Sequence, residues 1–89
     1  MRIDWHEAKR DANLAKHGID FADIAPVFAS RMLVSVDTRQ DYGETRYVGI
    51  GMVNGREVTV VWAEHRNIRW IISARRAHAK ERQQYHAAP

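Results

Sequence analysis

Polar and apolar residues alternate from Arg2 to Trp5, with Ile3 and Trp5 on one side, which predicts a short β-strand. The pattern then changes. Glu7 to His17 is rich in helix formers, and Ala8, Ala12 and Ala15 recur at helical spacing with Leu14 beside them. Glu7, Arg10 and Asp11 fall on the opposite side, so an amphipathic helix with the alanines inward is expected. Gly18 is a helix-ending residue, and Lys16-His17 sits where a helix dipole favours cations. Asp20 reads as the N-cap of a second helix carrying Phe21, Ile24, Ala25, Val27 and Phe28. Pro26 makes that helix short or kinked.

From Met32 the period becomes that of strands. Met32–Val36, Arg46–Val53, Glu57–Glu64 and Ile68–Ile72 are β-rich runs, separated by a polar loop from Asp37 to Glu44 and by turns. Asn54-Gly55 between two such runs predicts a type I′ hairpin, because both central residues of that turn need positive φ. His65–Asn67 reads as a second turn. A last helix is expected from about Ser73 to Tyr85, with Arg75, His78 and Arg82 on one stripe and Ala74, Ala77, Glu81 and Tyr85 on another. The predicted order is β-α-α-β-β-β-β-α over residues 1–89: one α+β domain in which an antiparallel meander carries its helices on one face.

Composition narrows the function. There is no cysteine, hence no disulfide framework and no thiolate site. No apolar run approaches the ~20 residues of a membrane span and no leader-like segment is visible, so a cytoplasmic protein is expected. The net charge is +3 but unevenly spread. Arg66 to Arg82 holds six cations against Glu81 alone, while the rest of the chain has eight cations and ten acids. Eleven of the fourteen cations are arginine, the residue suited to bidentate contact with phosphate. A polyanionic partner follows.

Candidate chemistry gathers in two places. Arg69, Arg75, Arg76 and Arg82 surround the predicted strand–helix junction, with Glu81 placed to orient a cation or act as acid or base. Lys16 and His17 close the first helix, where the cationic imidazole is favoured and proton donation is suited. Glu44 and Arg46 share one face of a strand and can pair or point together into a groove. The remaining histidines lack metal-ligand spacing, and no serine-hydrolase elbow, phosphate loop or dinucleotide fingerprint exists. Neither metal nor cofactor is predicted.

Residues Trp5, Lys9, Asn13, Lys16-His17-Gly18, Phe21, Phe28, Glu44-x-Arg46 and Gly51 match a known pattern from the N-terminal side. Arg69-x-Ile71-Ile72-Ser73-Ala74-Arg75-x-Ala77 and Glu81-Arg82-x-x-Tyr85 complete it. Together they resemble the BrnT toxin family, in order and spacing, from Trp5 to Tyr85. The chain departs from the family at His6-Glu7, where Asp-Pro is usual, and at Pro26.

The resemblance implies a RelE-like fold and a ribonuclease that arrests translation. It implies neutralisation by a BrnA-type antitoxin that carries the DNA-binding domain, in a complex of two copies of each, so that operator DNA is contacted only through the antitoxin. In a metal-independent attack by the ribose 2′-OH, Lys16, His17, Arg46, Arg75 and Glu81 would be catalytic. Arg69, Arg76, Arg82 and Tyr85 would hold RNA. Two rivals stand beside this reading. One is a non-catalytic module that grips nucleic acid or an antitoxin; the other is an independent DNA-binding regulator, against which stands the lack of a helix-turn-helix pattern.

Overall fold

A computed structural model describes residues Met1–Pro89. Five strands form one sheet: β1 (Arg2–Trp5), β2 (Leu33–Val36), β3 (Arg46–Val53), β4 (Arg56–His65) and β5 (Ile68–Arg76). Three helices accompany them, α1 (Glu7–His17), α2 (Phe21–Ile24) and α3 (Ala79–Ala87), and a 3₁₀ turn follows α2 at Ala25–Ala29. The α+β class and the element order agree with the sequence reading. Pro26 fits because the first positions of the 3₁₀ turn need no N–H donor.

The spatial order is β1-β5-β4-β3-β2. β2 to β5 form the expected antiparallel meander, closed by Asn54-Gly55 with φ of 50° and 77°. β1, however, pairs parallel with β5, Arg2 against Ile68 through Trp5 against Ile71, so the sheet is mixed. Its partner comes from the far end of the chain, beyond the reach of local pattern.

The helices also divide between two faces rather than sharing one. On the packed face, Phe21, Ile24 and Val27 bury against Val58, Val60, Trp62, Ile71 and Ala74. On the open face, α3 lays Tyr85, with the preceding Ala77, against Ile50, Leu33 and Met52. Strand alternation explains the split. Gly49 and Gly51 of β3 face the packed side, toward Trp62 and toward Val27 of the turn, and Ile50 between them faces α3. A Cβ on Gly49 would come within 2.7 Å of the buried Trp62 ring, and one on Gly51 within 2.6 Å of Val27 Cγ2. Gly49→Ala should therefore destabilise the chain by ~1–3 kcal/mol through overpacking, read from urea unfolding. An unchanged midpoint would mean that the ring can move aside.

α1 packs differently from its expected orientation. Ala8, Ala12, Leu14 and Ala15 are exposed, and the inward stripe is polar: Arg10, Asn13 and His17. Arg10 holds the Asp20 carboxylate through Nε at 2.7 Å and Nη2 at 2.9 Å. Asn13 is buried where β1 stops, and it continues the ladder of β5 with its side chain. Its Oδ1 accepts from the Ala74 N–H at 3.0 Å, and its Nδ2 donates to the Ala74 carbonyl at 2.9 Å and the Ile19 carbonyl at 3.0 Å. A helix can dock by satisfying orphaned backbone groups as well as by burying alanines.

β5 runs on to Arg76, so that α3 begins at Ala79 and not near Ser73 as the sequence pattern predicts. Val58 to Val61 of β4 pair with Ser73 to Arg76, and this ladder overrides the helical preference of the alanines and arginines. The Glu81 carboxylate then accepts from the His78 N–H at 2.7 Å and fixes the start of α3.

Candidate active site

A β-bulge decides which side chains meet. Between Val61 and Trp62 of β4 the pairing slips: Val61 faces Ser73, but Trp62 faces Ile71. The extra residue in β5 is Ile72. Unbroken alternation would put Arg69, Ile71, Ser73 and Arg75 on one face. With the bulge, Arg69 and Ile71 turn to the packed face, and Ser73 and Arg75 turn to the open one.

Arg75 emerges on the open face beside α3, next to the C-terminal end of α1. Around it lies an open hollow of about 550 Å³ whose walls include Lys16, His17, Ser35, Arg39, Ser73, Arg75 and Glu81. Four parts of the fold supply them: the end of α1, β2 with the loop after it, β5, and the first turn of α3.

Arg75 and Glu81 form a two-pronged pair, Nη1 to Oε1 at 2.8 Å and Nη2 to Oε2 at 3.0 Å. Arg75 Nη1 also donates to the Arg76 carbonyl at 3.2 Å. A guanidinium has five N–H groups, so two remain for an anion. The Arg75 side chain is 32% exposed, which leaves it accessible from the hollow. The Arg75 fork and the His78 N–H hold the Glu81 carboxyl at about 2, far below the usual value near 4.5. The Thr59 hydroxyl lies close enough to favour the charged form as well, but short of hydrogen-bond geometry, and it is buried without a partner. A carboxylate this weakly basic orients its arginine rather than collecting protons.

The loop after β2 is braced in the same way. Asp37, buried, accepts from Arg39 Nε at 2.9 Å, from Arg39 Nη2 at 2.8 Å and from the Tyr42 hydroxyl at 3.1 Å. Arg39 above all, together with the Tyr42 hydroxyl, keeps its carboxyl far below the ordinary carboxylate range. Arg39 and Arg75 are thus presented as fixed forks, and Lys16 and His17 enter no ion pair of the chain. Fixed arginines beside an unpaired lysine and an imidazole can bind a phosphodiester and move a proton near it.

Of the residues singled out from sequence, Lys16, His17, Arg75 and Glu81 come together here. The others are placed elsewhere. Arg46 lies on the open face but in a separate hollow, its guanidinium 3.9 Å over the Tyr42 ring. Arg69 is on the packed face, bound to Glu64 at 3.3 Å and 5.0 Å over the Phe28 ring. Arg76 borders a hollow behind the sheet with Gly18 and Ile24. Arg82 is turned to the Ala77 carbonyl at 2.7 Å. Tyr85 is 6% exposed, donates to the Arg31 carbonyl at 3.2 Å and carries the Arg31 guanidinium on its ring, which leaves no free face for stacking.

Sequence reasoning missed Ser35, Arg39 and Ser73. The Asp37-x-Arg39 spacing was the available signal, since side chains two apart can pair across a turn. No cluster of three His, Asp or Glu side chains could hold a metal ion, and no helix is long and apolar enough to cross a membrane.

Comparison with family models matches residues 5–81 to the ribonuclease toxin BrnT of type II toxin–antitoxin systems. No curated protein matches the chain.

Proposed function

The chain belongs to the BrnT family of ribonuclease toxins of type II toxin–antitoxin systems, and from that membership we propose that it cuts RNA in the Arg75 hollow without a metal ion. The observation that supports this most directly is the convergence of Lys16, His17, Arg39 and Arg75 on one open hollow, with Glu81 behind Arg75.

In the proposed reaction the 2′-OH oxygen of one ribose attacks the adjacent phosphorus. A P–O2′ bond forms and the P–O5′ bond breaks, giving a 2′,3′-cyclic phosphate and a free 5′-OH. The 2′-OH proton leaves as the bond forms, and the departing 5′-oxygen takes one up. Charge accumulates on the phosphorane oxygens between these events, and Arg75, with Lys16 and Arg39, faces it. His17 donates the proton that the departing 5′-oxygen takes up, and a solvent water in the open hollow accepts the one that the 2′-OH releases. Glu81 holds the Arg75 fork in place, so that little reorganisation is needed as charge develops. Arg46 joins from the neighbouring hollow as an RNA contact.

An antitoxin partner follows from the family. We take it to be of the BrnA type, in a two-plus-two complex in the cytoplasm that reaches operator DNA through the antitoxin alone. Purified protein incubated with RNA in excess chelator should yield 2′,3′-cyclic phosphate ends, and addition of the antitoxin should stop the cleavage. Absence of cleavage, or its dependence on added divalent metal, would refute the scheme.

A further inference from the structure

The open face holds more than the Arg75 hollow. Along β5 three hollows follow one another and share their walls. Lys16, His17 and Ser73 border both the Arg75 hollow and a shallow one of about 240 Å³ beside α1. Lys9 and Ile72 border that shallow hollow and a third, of about 320 Å³, which is lined by His6, Lys9, Glu44, Arg46 and Trp70. The same bulge makes this run possible. Trp70 and Arg75 are five residues apart and would lie on opposite faces of a regular strand, but across Ile72 both reach the open face. They are separated by roughly 16 Å of strand at ~3.3 Å per residue.

The third hollow is built from an aromatic step and cations. The His6 ring stacks on the Trp70 indole, with centroids 4.9 Å apart and planes 10° from parallel. The His6 backbone is fixed, because its carbonyl accepts from the N–H groups of Lys9 and Arg10 at the start of α1. Lys9 is exposed and unpaired. Opposite, the Arg46 guanidinium lies over the Tyr42 ring and is steadied by Glu44 at 3.3 Å. Asp37 ties the two ends together, since it binds Arg39 and Tyr42 through its carboxylate and the Arg46 carbonyl through its N–H at 2.8 Å.

We propose that the His6–Trp70 hollow is a second nucleotide subsite on the same single-stranded RNA track, in which a base extends the His6–Trp70 stack and Lys9 and Arg46 take the neighbouring phosphate. Stacking on a flat ring beside a cation is the sequence-tolerant way of gripping a single strand. The proposal rests on the ribonuclease reading, and it predicts that substrate recognition extends past the scissile bond toward the start of α1.

The test is the binding of labelled single-stranded 2′-O-methyl RNA, which cannot cleave itself, to the intact protein by fluorescence anisotropy. His6→Ala and Lys9→Ala, both exposed and outside the Arg75 hollow, should each weaken binding several-fold, and together by ~10-fold or more. Lys80→Ala on α3 removes the same charge away from the track and should change affinity far less. With cleavable RNA, the paired variant should raise KM and leave kcat close to that of the parent. Unchanged thermal unfolding would establish that the variants fold. Equal affinity in the parent and in His6→Ala, or a loss in Lys9→Ala no larger than in Lys80→Ala, would overturn the subsite while leaving the cleavage reading intact. Failure of the parent protein to bind or cut RNA would overturn both.

Discussion

Arg75→Ala should lower the rate of RNA cleavage by ~10²–10³-fold, the loss typical when a fixed donor facing developing charge is removed. The size of the effect follows from its location. The bulge at Ile72 brings Arg75 to the open face, and Glu81 then holds two of its nitrogens while two N–H groups remain for an anion. Arg75→Lys should rescue only partly, because an ammonium keeps the charge but loses the fork. Glu81→Gln should cost less than Arg75→Ala, since it disturbs the position of the guanidinium and not its presence. Cleavage assays at saturating RNA, with thermal unfolding as the control for folding, separate these cases. Full activity in Arg75→Ala would remove Arg75 from the mechanism. If Glu81→Gln proved as inactive as Arg75→Ala, Glu81 would have to be more than a positioning residue.

The same pair predicts a dependence on acid. The Glu81 carboxyl falls from an ordinary 4.5 to about 2 on folding, and Asp20, held by Arg10, falls from 3.8 to about 2. Groups whose folded value is depressed stabilise the chain fully above their unfolded value. That contribution is lost as the pH drops from about 4.5 toward 2. Both lie at places that position the hollow, so stability measured by thermal unfolding should decline across that window.

The largest effect on stability should come from Asn13→Ala. Asn13 is 5% exposed and serves the N–H and the carbonyl of Ala74 as a neighbouring strand would. Alanine leaves both groups buried without partners, at a cost of about 2–4 kcal/mol. For a domain of this size that corresponds to a fall in Tm of ~10–20 °C. Asn13→Asp is informative because the shape is kept. Its carboxylate could still accept from the Ala74 N–H, but it would face the carbonyls of Ala74 and Ile19 with no donor. It should therefore be as damaging at neutral pH and milder in acid, where the carboxyl carries a proton. A Tm within a few degrees of the parent for Asn13→Ala would mean that α1 docks by other means. Activity should fall along with stability, because the helix anchored by Asn13 also delivers Lys16 and His17.

Local pattern was a good guide where the contacts are local. The type I′ turn at Asn54-Gly55, the Gly18 cap with φ of 69°, the Asp20 cap and the strand cores all follow from backbone chemistry within a few residues. It failed where a distant segment supplied the partner. The alanines of α1 suggested a buried face, yet the buried residue is Asn13, because the unpaired edge of β5 needed a donor and an acceptor more than it needed methyl groups. Ser73–Arg76 suggested helix, yet β4 was long enough to hold it as strand.

The arginine-rich stretch shows where the division lies. The sequence by itself determined the kinds and order of the elements, the family, the cationic character of the chain's end, and the candidacy of Lys16, His17, Arg75 and Glu81. Only the tertiary structure decided which arginines meet at one place. Arg69 and Arg75 share a face in any regular strand, and one inserted residue separates them. Because side chains alternate with a period of two, a single bulge turns everything beyond it to the other side. Nothing in the local composition records where a ladder slips, since the slip is set by β4 across the sheet.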